Sequence, residues 1–181
     1  MLFRSGLLND GEALTLLASG YAAQLMECSN VEVVFGPAYK GIPFVAATAV
    51  ALSQNHGVSV PWGFNRKEAK DHGEGGVLVG APLKGRVLII DDVISAGTSV
   101  RESVRLIQGE NAVPAGVVIA LDRMEKGTGD LSAVQEVEQQ YGLPVVAIAN
   151  LNDLFTLLQN HSGFSAYLEP VRAYRARYGV A

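Results

Sequence analysis

The feature that most constrains the fold is a series of short apolar runs separated by longer amphipathic stretches. Two of these runs, Val87–Ile90 and Gly116–Leu121, are apolar at every position apart from the opening glycine. A strand buried on both faces of a sheet has this composition, whereas a strand with one wet face alternates apolar and polar residues. Strands that alternate with helical stretches indicate βαβ units. The pattern therefore predicts an α/β fold, with a parallel β-sheet flanked by helices.

Weaker patterns predict the remaining elements. Further strands are expected at Val31–Phe35, Val58–Phe64, Val77–Val79 and Pro144–Ile148. Helical spacing of apolar residues predicts helices at Asp10–Cys28, Phe44–Asn55, Ser99–Gln108, Leu131–Tyr141, Asn152–Gln159 and Glu169–Tyr178. Asn9 and Glu12 are placed to form a capping box at the start of the first helix. The length of 181 residues fits one domain covering the whole chain, 1–181.

Composition excludes several classes of function. The net charge of -4 argues against general binding to nucleic acid. The longest apolar run, Ile42–Leu52, is too short to span a membrane, so no membrane partner is expected. Cys28 is the single cysteine, which rules out an intrachain disulfide and predicts a reducing, cytoplasmic setting.

The segment Val87–Ser99 carries the clearest chemistry. Its apolar strand ends in Asp91 and Asp92, and a turn of small residues, Ser95–Ser99, leads into a predicted helix. Small residues let backbone N–H groups approach an anion, and a helix N-terminus adds unpaired donors and a favourable dipole. The two acids suit ribose hydroxyls or a divalent metal. A solvated acidic pair before an ordinary helix cap is disfavoured, because all the parts converge on one phosphorylated ligand.

Two loops add positive charge near the predicted carboxyl edge of the sheet. The segment Phe64–Gly76 contains four residues that are or can become cationic: Arg66, Lys67, Lys70 and His72. Cations beside several glycines suit a lid over a charged anion, and the alternative is a solvated hairpin tip. The segment Gly36–Gly41 follows a strand directly and presents Tyr39 and Lys40.

These segments resemble the motifs of orotate phosphoribosyltransferases, a branch of the type I phosphoribosyltransferase superfamily. Val87–Ser99 resembles the superfamily's binding motif for phosphoribosyl pyrophosphate (PRPP), and Arg66–Gly76 resembles the mobile catalytic loop of the orotate branch. The resemblance implies transfer of the phosphoribosyl group of PRPP to orotate, which gives orotidine 5'-monophosphate and pyrophosphate in pyrimidine biosynthesis. Mg²⁺ is the implied cofactor, held mainly through PRPP and water, with no direct protein ligand.

The resemblance also assigns roles to residues. It implies catalytic roles for Asp91, Asp92, Lys70 and His72. It implies PRPP contacts from Tyr39, Lys40, Arg66, Lys67, Lys70, His72, Asp91, Asp92, Val93, Ile94, Ser95, Ala96, Gly97, Thr98 and Ser99. Orotate would be contacted by Phe3, Ser95 and Arg123, since a guanidinium fits the orotate carboxylate in a bidentate manner.

Two further implications concern assembly and the chain start. The family's lid serves the neighbouring subunit, which implies a homodimer with a shared lid. Family members usually carry a further N-terminal helix and strand, so an incomplete N-terminal hood over the base is expected. Two alternatives keep the PRPP motif: a non-catalytic PRPP-sensing regulatory protein and a purine phosphoribosyltransferase. The string RKEAKDH at Arg66–His72 argues against both.

Overall fold

The computed structural model describes residue 6, residues 8–70 and residues 76–180. The strands are β1 (Val33–Gly36), β2 (Trp62–Lys70), β3 (Gly76–Gly80), β4 (Arg86–Asp91), β5 (Val113–Asp122) and β6 (Val145–Asn150). The helices are α1 (Gly11–Glu27), α2 (Gly41–His56), α3 (Thr98–Gly109), α4 (Ala133–Tyr141), α5 (Leu151–Asn160) and α6 (Leu168–Tyr178). A 3₁₀ helix, Ser162–Tyr167, joins α5 to α6.

The strands form one sheet in the order β3-β2-β1-β4-β5-β6. All neighbouring pairs are parallel except β2 and β3, which run antiparallel. The predicted α/β class with a parallel sheet flanked by helices is confirmed, with β3 as an antiparallel edge strand. The strand order reverses direction around β1 and β4, and ligands of open α/β sheets bind at the carboxyl ends of strands at such a point.

The sheet is buried on both faces, which explains its apolar strands. On β4, Val87 and Ile89 face a core that includes residues of α3 and α4. Leu88 and Ile90 face the opposite core, formed with α1 and α2. Because successive residues of a strand point to opposite faces, each strand must be apolar at every position to fill both cores.

The start of α1 differs from the prediction. Asp10 is the N-cap, and its Oδ1 accepts a hydrogen bond from the backbone N–H of Ala13 at 2.8 Å. The predicted capping box of Asn9 and Glu12 is therefore wrong by one residue. A box built on Asp10 would need a carboxyl or amide side chain at position 13, and alanine has neither.

The predicted loop at Phe64–Gly76 is partly a strand. β2 continues to Lys70 and pairs with β3 through Asn65↔Leu78 and Lys70↔Gly76. Its pairs with β1 involve only Trp62, Gly63 and Phe64 among the described residues. The cationic segment thus begins as a two-stranded ribbon, which can carry many charges because it has no second sheet neighbour. Within the described ranges, no helix is long and apolar enough to cross a membrane.

Candidate active site

The paired acids lie at the carboxyl end of β4, at the centre of the sheet. Asp91 and Asp92 are buried, at 6% and 4% exposure. Asp91 Oδ2 accepts a hydrogen bond from Ser99 Oγ at 2.7 Å, and Asp91 Oδ1 accepts one from the Asp92 backbone N–H at 2.9 Å. Asp92 Oδ1 accepts from the Val93 N–H at 2.9 Å. Both carboxylates are therefore held in fixed orientations before any ligand binds.

Burial dominates the electrostatics of the first acid. Removal from water is the largest influence on the Asp91 carboxyl and raises its pKa, as does the nearby Asp92 charge, while the Ser99 hydroxyl, the Asp92 N–H and Lys40 lower it; the net result is a pKa of about 6. Burial thus makes the ionised form of Asp91 costly. A buried carboxylate of raised pKa in a cleft is typical of functional positions.

A helix start faces the acids across the loop that follows them. α3 begins at Thr98, directly after Gly97, whose φ of 65° is left-handed and suits glycine. The Arg101 N–H donates to Gly97 O at 2.9 Å and so begins the helical ladder. The N–H groups just before it have no partner within the helix, as at every helix N-terminus, and can bind an anion.

The loop between β1 and α2 forms the opposite wall. Lys40 Nζ lies 2.9 Å from Asp92 Oδ2 and forms an ion pair across the site. The backbone N–H of Ala38 donates to Asn65 Oδ1 at 2.8 Å, which ties this loop to β2. Also on β2, Lys67 places its ammonium 5.3 Å from the centroid of the Tyr39 ring. One loop and one strand thus place cations beside the pair of carboxylates.

These walls enclose a cleft of about 640 Å³. It is lined by Pro37, Ala38, Tyr39, Lys40, Lys67, Asp91, Asp92, Val93, Ile94, Ser95, Ala96, Gly97, Thr98, Ser99 and Val100. The structure therefore brings together the sequence-predicted residues of three separate segments. Arg66, the neighbour of Lys67 on β2, does not line this cleft.

Arg123 does not line the cleft but contacts one of its lining residues. Its side chain is 5% exposed, so it is not a solvated surface arginine. Its Nη2 donates to Ser95 Oγ at 2.6 Å and lies 2.9 Å from Glu125 Oε2. Its Nε is buried and has no hydrogen-bond partner among the described residues. The guanidinium reaches the cleft through Ser95, which is one of the lining residues.

Some predicted site residues fall elsewhere. Phe3 and His72 lie outside the described residues, as do residues 71–75 of the predicted lid as a whole. Lys70 is the last residue of β2. In the part of the chain that the structure describes, no group of three or more His, Cys, Asp or Glu side chains could hold a metal ion.

Comparison with known proteins decides the family. The sequence model of the phosphoribosyl transferase domain matches residues 6–143. Orotate phosphoribosyltransferase of Neisseria meningitidis serogroup C (strain 053442) is 69% identical over 179 residues, which cover 98% of this chain and 84% of that protein. This chain belongs to the orotate phosphoribosyltransferase family.

Other members of the orotate phosphoribosyltransferase family agree. The protein of Acinetobacter baumannii (strain ACICU) is 61% identical over 98% of this chain and 82% of its own length. A crystal structure of orotate phosphoribosyltransferase from Francisella tularensis superposes with a TM-score of 0.83 at 37% identity. That match covers 98% of this chain and 85% of the other. The sheet described above is therefore that of the type I phosphoribosyltransferase fold.

The orotate phosphoribosyltransferase site also contains polar residues that the sequence did not indicate. Asn65 holds the β1–α2 loop, and Tyr21 of α1 donates its hydroxyl to the Asp91 carbonyl at 2.7 Å. Burial raises the pKa of the Tyr21 phenol, which keeps it a donor. Glu125 and Tyr174 form a third such group, since the Tyr174 hydroxyl donates to Glu125 Oε1. A tyrosine on the apolar face of a predicted helix was the one available signal.

Proposed function

We propose that this protein transfers the phosphoribosyl group of PRPP to orotate, giving orotidine 5'-monophosphate and pyrophosphate in pyrimidine biosynthesis. One observation carries the proposal: two buried carboxylates, Asp91 and Asp92, face Lys40 and an open helix start across a single cleft. Acids beside a phosphate-binding helix start suit a phosphorylated sugar, and cations opposite suit its diphosphate. The relatives named orotate phosphoribosyltransferase supply the acceptor.

The cleft offers a distinct partner for each part of PRPP. The 5'-phosphate binds the N–H groups and hydroxyls of Ser95–Ser99. The ribose hydroxyls donate to the carboxylates of Asp91 and Asp92, both of which line the cleft. Lys40 and Lys67 bind the diphosphate from the opposite wall, beside Tyr39. Arg66, Lys70 and His72 complete the diphosphate contacts from the ribbon of β2 and β3 and its connecting loop.

The reaction exchanges one bond for another at the anomeric carbon. The bond from this carbon to the pyrophosphate oxygen breaks, and the electron pair leaves with pyrophosphate. The carbon gains oxocarbenium-like positive charge, which the carboxylates of Asp91 and Asp92 stabilise. The orotate ring nitrogen then donates an electron pair to form the new bond, and its proton is transferred to the departing pyrophosphate. Lys70 and His72 offset the negative charge that grows on pyrophosphate and exclude water, which would otherwise capture the cation.

The donor set of the cleft fits Mg²⁺ bound together with substrate. Mg²⁺ prefers hard oxygen ligands and keeps several waters, so PRPP oxygens and water would supply most of its ligands here. Asp91 and Asp92 present carboxylate oxygens at the cleft floor, too few for a complete protein site. Bound in this way, Mg²⁺ would neutralise the diphosphate leaving group. Asp91 and Asp92 would orient the ribose and stabilise the positive charge at its anomeric carbon.

The pyrimidine lies at the end of the cleft nearest Ser95. Arg123 and Ser95 bind the orotate carboxylate, with the guanidinium supplying the charge. Phe3 contacts the pyrimidine ring. An apolar ring contact with a single charged recognition point would let the site distinguish orotate from neutral bases, because a base without a carboxylate forms no charge-assisted hydrogen bond with Arg123.

Assembly and location follow the family expectation. We propose a homodimer whose lid serves the partner's cleft, a single domain over residues 1–181 and a cytoplasmic location. The net charge of -4 accords with small-molecule partners in place of nucleic acid.

An absorbance assay of orotate consumption tests the activity. The protein is incubated with PRPP and Mg²⁺, and orotate, adenine and hypoxanthine are compared as acceptors. We expect consumption of orotate alone, with pyrophosphate released in equal amount. Binding of PRPP without turnover of any base would instead support a PRPP-sensing regulatory protein.

A further inference from the structure

A chain of hydrogen bonds connects the last helix to the pyrimidine end of the cleft. Tyr174 lies on α6 and donates its hydroxyl to Glu125 Oε1. The other carboxylate oxygen, Glu125 Oε2, lies 2.9 Å from Arg123 Nη2. Arg123 Nη2 in turn donates to Ser95 Oγ, at 2.6 Å. The described path therefore runs from a residue outside the cleft to a hydroxyl that lines it.

Glu125 is fixed by its backbone as well as by its side chain. The Glu125 carbonyl accepts from the Ala133 N–H at 3.0 Å, and Glu125 forms an antiparallel bridge with Gly179. The next residue, Lys126, donates its N–H to Tyr178 O at 2.8 Å. The segment is thus anchored to the start of α4 and to the end of α6. A carboxylate held this firmly fixes the position of whatever it binds.

The buried guanidinium needs such a partner. Arg123 is 5% exposed, and a buried charge without a counter-charge costs several kcal/mol. With Glu125 on one side, the guanidinium donates to Ser95 on the other. Because Ser95 Oγ accepts a hydrogen bond from Arg123, the Ser95 hydroxyl proton is available to a different acceptor. Ser95 lines the cleft, so an anionic substrate in the cleft would be that acceptor.

We infer that Glu125 and Tyr174 are positioning residues for the pyrimidine end of the site, acting through Arg123 and Ser95. Neither touches the cleft, since neither is among its lining residues. Glu125 sets the place of the guanidinium, and Tyr174 fixes which way the Glu125 carboxylate faces. Selectivity for a pyrimidine with a carboxylate therefore depends on α6. The inference rests on the proposed function, because it takes orotate as the ligand of this end.

Tyr174→Phe is the sharpest variant, because it removes one hydroxyl and keeps the ring that lies 4.9 Å from the Tyr178 ring. Tyr178→Phe is the matched control on the same helix: it also removes one phenolic hydroxyl, but outside the chain of contacts. We expect Tyr174→Phe to raise KM for orotate by about 3- to 10-fold, because the lost hydroxyl acts on the substrate only through Glu125 and Arg123. KM for PRPP and kcat should each stay within about 2-fold, because the interaction orients a bound substrate end and does not act on the leaving group.

Glu125→Gln extends the test. It removes the charge opposite Arg123, so KM for orotate should rise more, by about 10- to 100-fold. The double variant Glu125→Gln with Tyr174→Phe should be no worse than Glu125→Gln alone, since both act through the same guanidinium. If Glu125→Gln does not fold, Glu125→Asp keeps the charge on a shorter arm and should give an intermediate rise.

Uracil, which lacks the carboxylate, separates positioning from general damage. The wild-type preference for orotate over uracil, taken as the ratio of kcat/KM values, should fall in Tyr174→Phe and stay unchanged in Tyr178→Phe. Equal increases in KM for PRPP and orotate, or equal effects of the two tyrosine changes, would overturn the inference. Absence of orotate turnover in the wild-type protein would instead overturn the proposed function, so the two failures are distinguishable.

Discussion

The Lys40 ammonium lies 2.9 Å from the Asp92 carboxylate and bridges the candidate cleft from wall to floor. The two ends differ, because the Lys40 side chain is 58% exposed whereas that of Asp92 is 5% exposed. PRPP must exchange this contact for its own, with the ribose on Asp92 and the diphosphate on Lys40. The Lys40 ammonium therefore compensates the charge of the buried Asp92 carboxylate.

Replacement of Lys40 should weaken PRPP binding more than it lowers the stability of the fold. Lys40→Gln removes a diphosphate contact, and we expect KM for PRPP to rise by about 10- to 100-fold, the value of a charge-assisted hydrogen bond. Lys84→Gln is the matched control, because Lys84 precedes β4 and so lies at the opposite end of the strand from Asp91. Steady-state kinetics with varied PRPP gives the result. Equal KM values for both variants would remove Lys40 from the site.

Asp91 should make stability depend on pH. A carboxyl whose pKa is raised by folding, here from 3.8 to about 6, holds its proton more tightly in the native state. Its contribution to the free energy of unfolding is therefore fully present below pH 3.8 and is lost as the pH rises through about 6. The Asp91→Asn variant does not ionise, so it should become more stable than the wild type as the pH rises, by up to about 3 kcal/mol at pH 8.

Thermal or denaturant unfolding between pH 4 and 8 measures this difference. Asp130→Asn, on an exposed loop, is the control and should show no such trend. Asp91→Asn should also lose most of its transferase activity, so it exchanges function for stability, as expected where a site holds a costly charge. A constant stability difference across this pH range would contradict the raised pKa.

Gly36 should tolerate no side chain. A Cβ at this position would lie 2.3 Å from Gly41 O and 2.6 Å from Val45 Cγ1, so the β1–α2 turn could not close. We expect Gly36→Ala to reduce the free energy of unfolding by about 1–3 kcal/mol, or more if the turn opens. Gly109→Ala is the control, since nothing lies within 4 Å of its added Cβ. Similar stabilities for the two variants would show that the turn can shift at little cost.

The sequence predicted the centre of this site because its signals are local. The run from Val87 to Ser99 combines a buried strand, two acids and small residues in one continuous segment, and the structure places that segment at the cleft as predicted. The spacing of apolar residues likewise predicted which segments form strands and which form helices. The family resemblance then supplied the acceptor, which no local pattern could have given.

The features that the sequence did not predict depend on contacts between segments that are distant in the chain. Tyr174 and Glu125 are 49 residues apart, and only the packing of α6 brings them together. The burial of Arg123 likewise comes from elements on either side of it. The extension of β2 to Lys70 was missed because a charged, glycine-bounded stretch has the composition of a loop, and only its pairing with β3 makes it a strand.

Hybrid dimers test the shared lid. A chain with Lys70→Ala is mixed with a chain with Asp92→Asn, each nearly inactive alone. If the lid serves the partner, each hybrid dimer has one intact site, with wild-type Lys70 from one chain and wild-type Asp92 from the other. We expect activity to return in proportion to the hybrid fraction. No return of activity, with hybrid formation verified by differential tags, would show that each chain closes its own cleft.

The most direct test of the central claim is the initial rate of orotate consumption with PRPP and Mg²⁺, compared between the wild type and the double variant Asp91→Asn with Asp92→Asn. Circular dichroism would verify that both are folded. We predict rapid consumption by the wild type and a loss of at least about 1,000-fold in the variant, equivalent to about 4 kcal/mol of transition-state stabilisation. A wild-type protein that does not consume orotate, or a folded double variant of similar rate, would contradict the account.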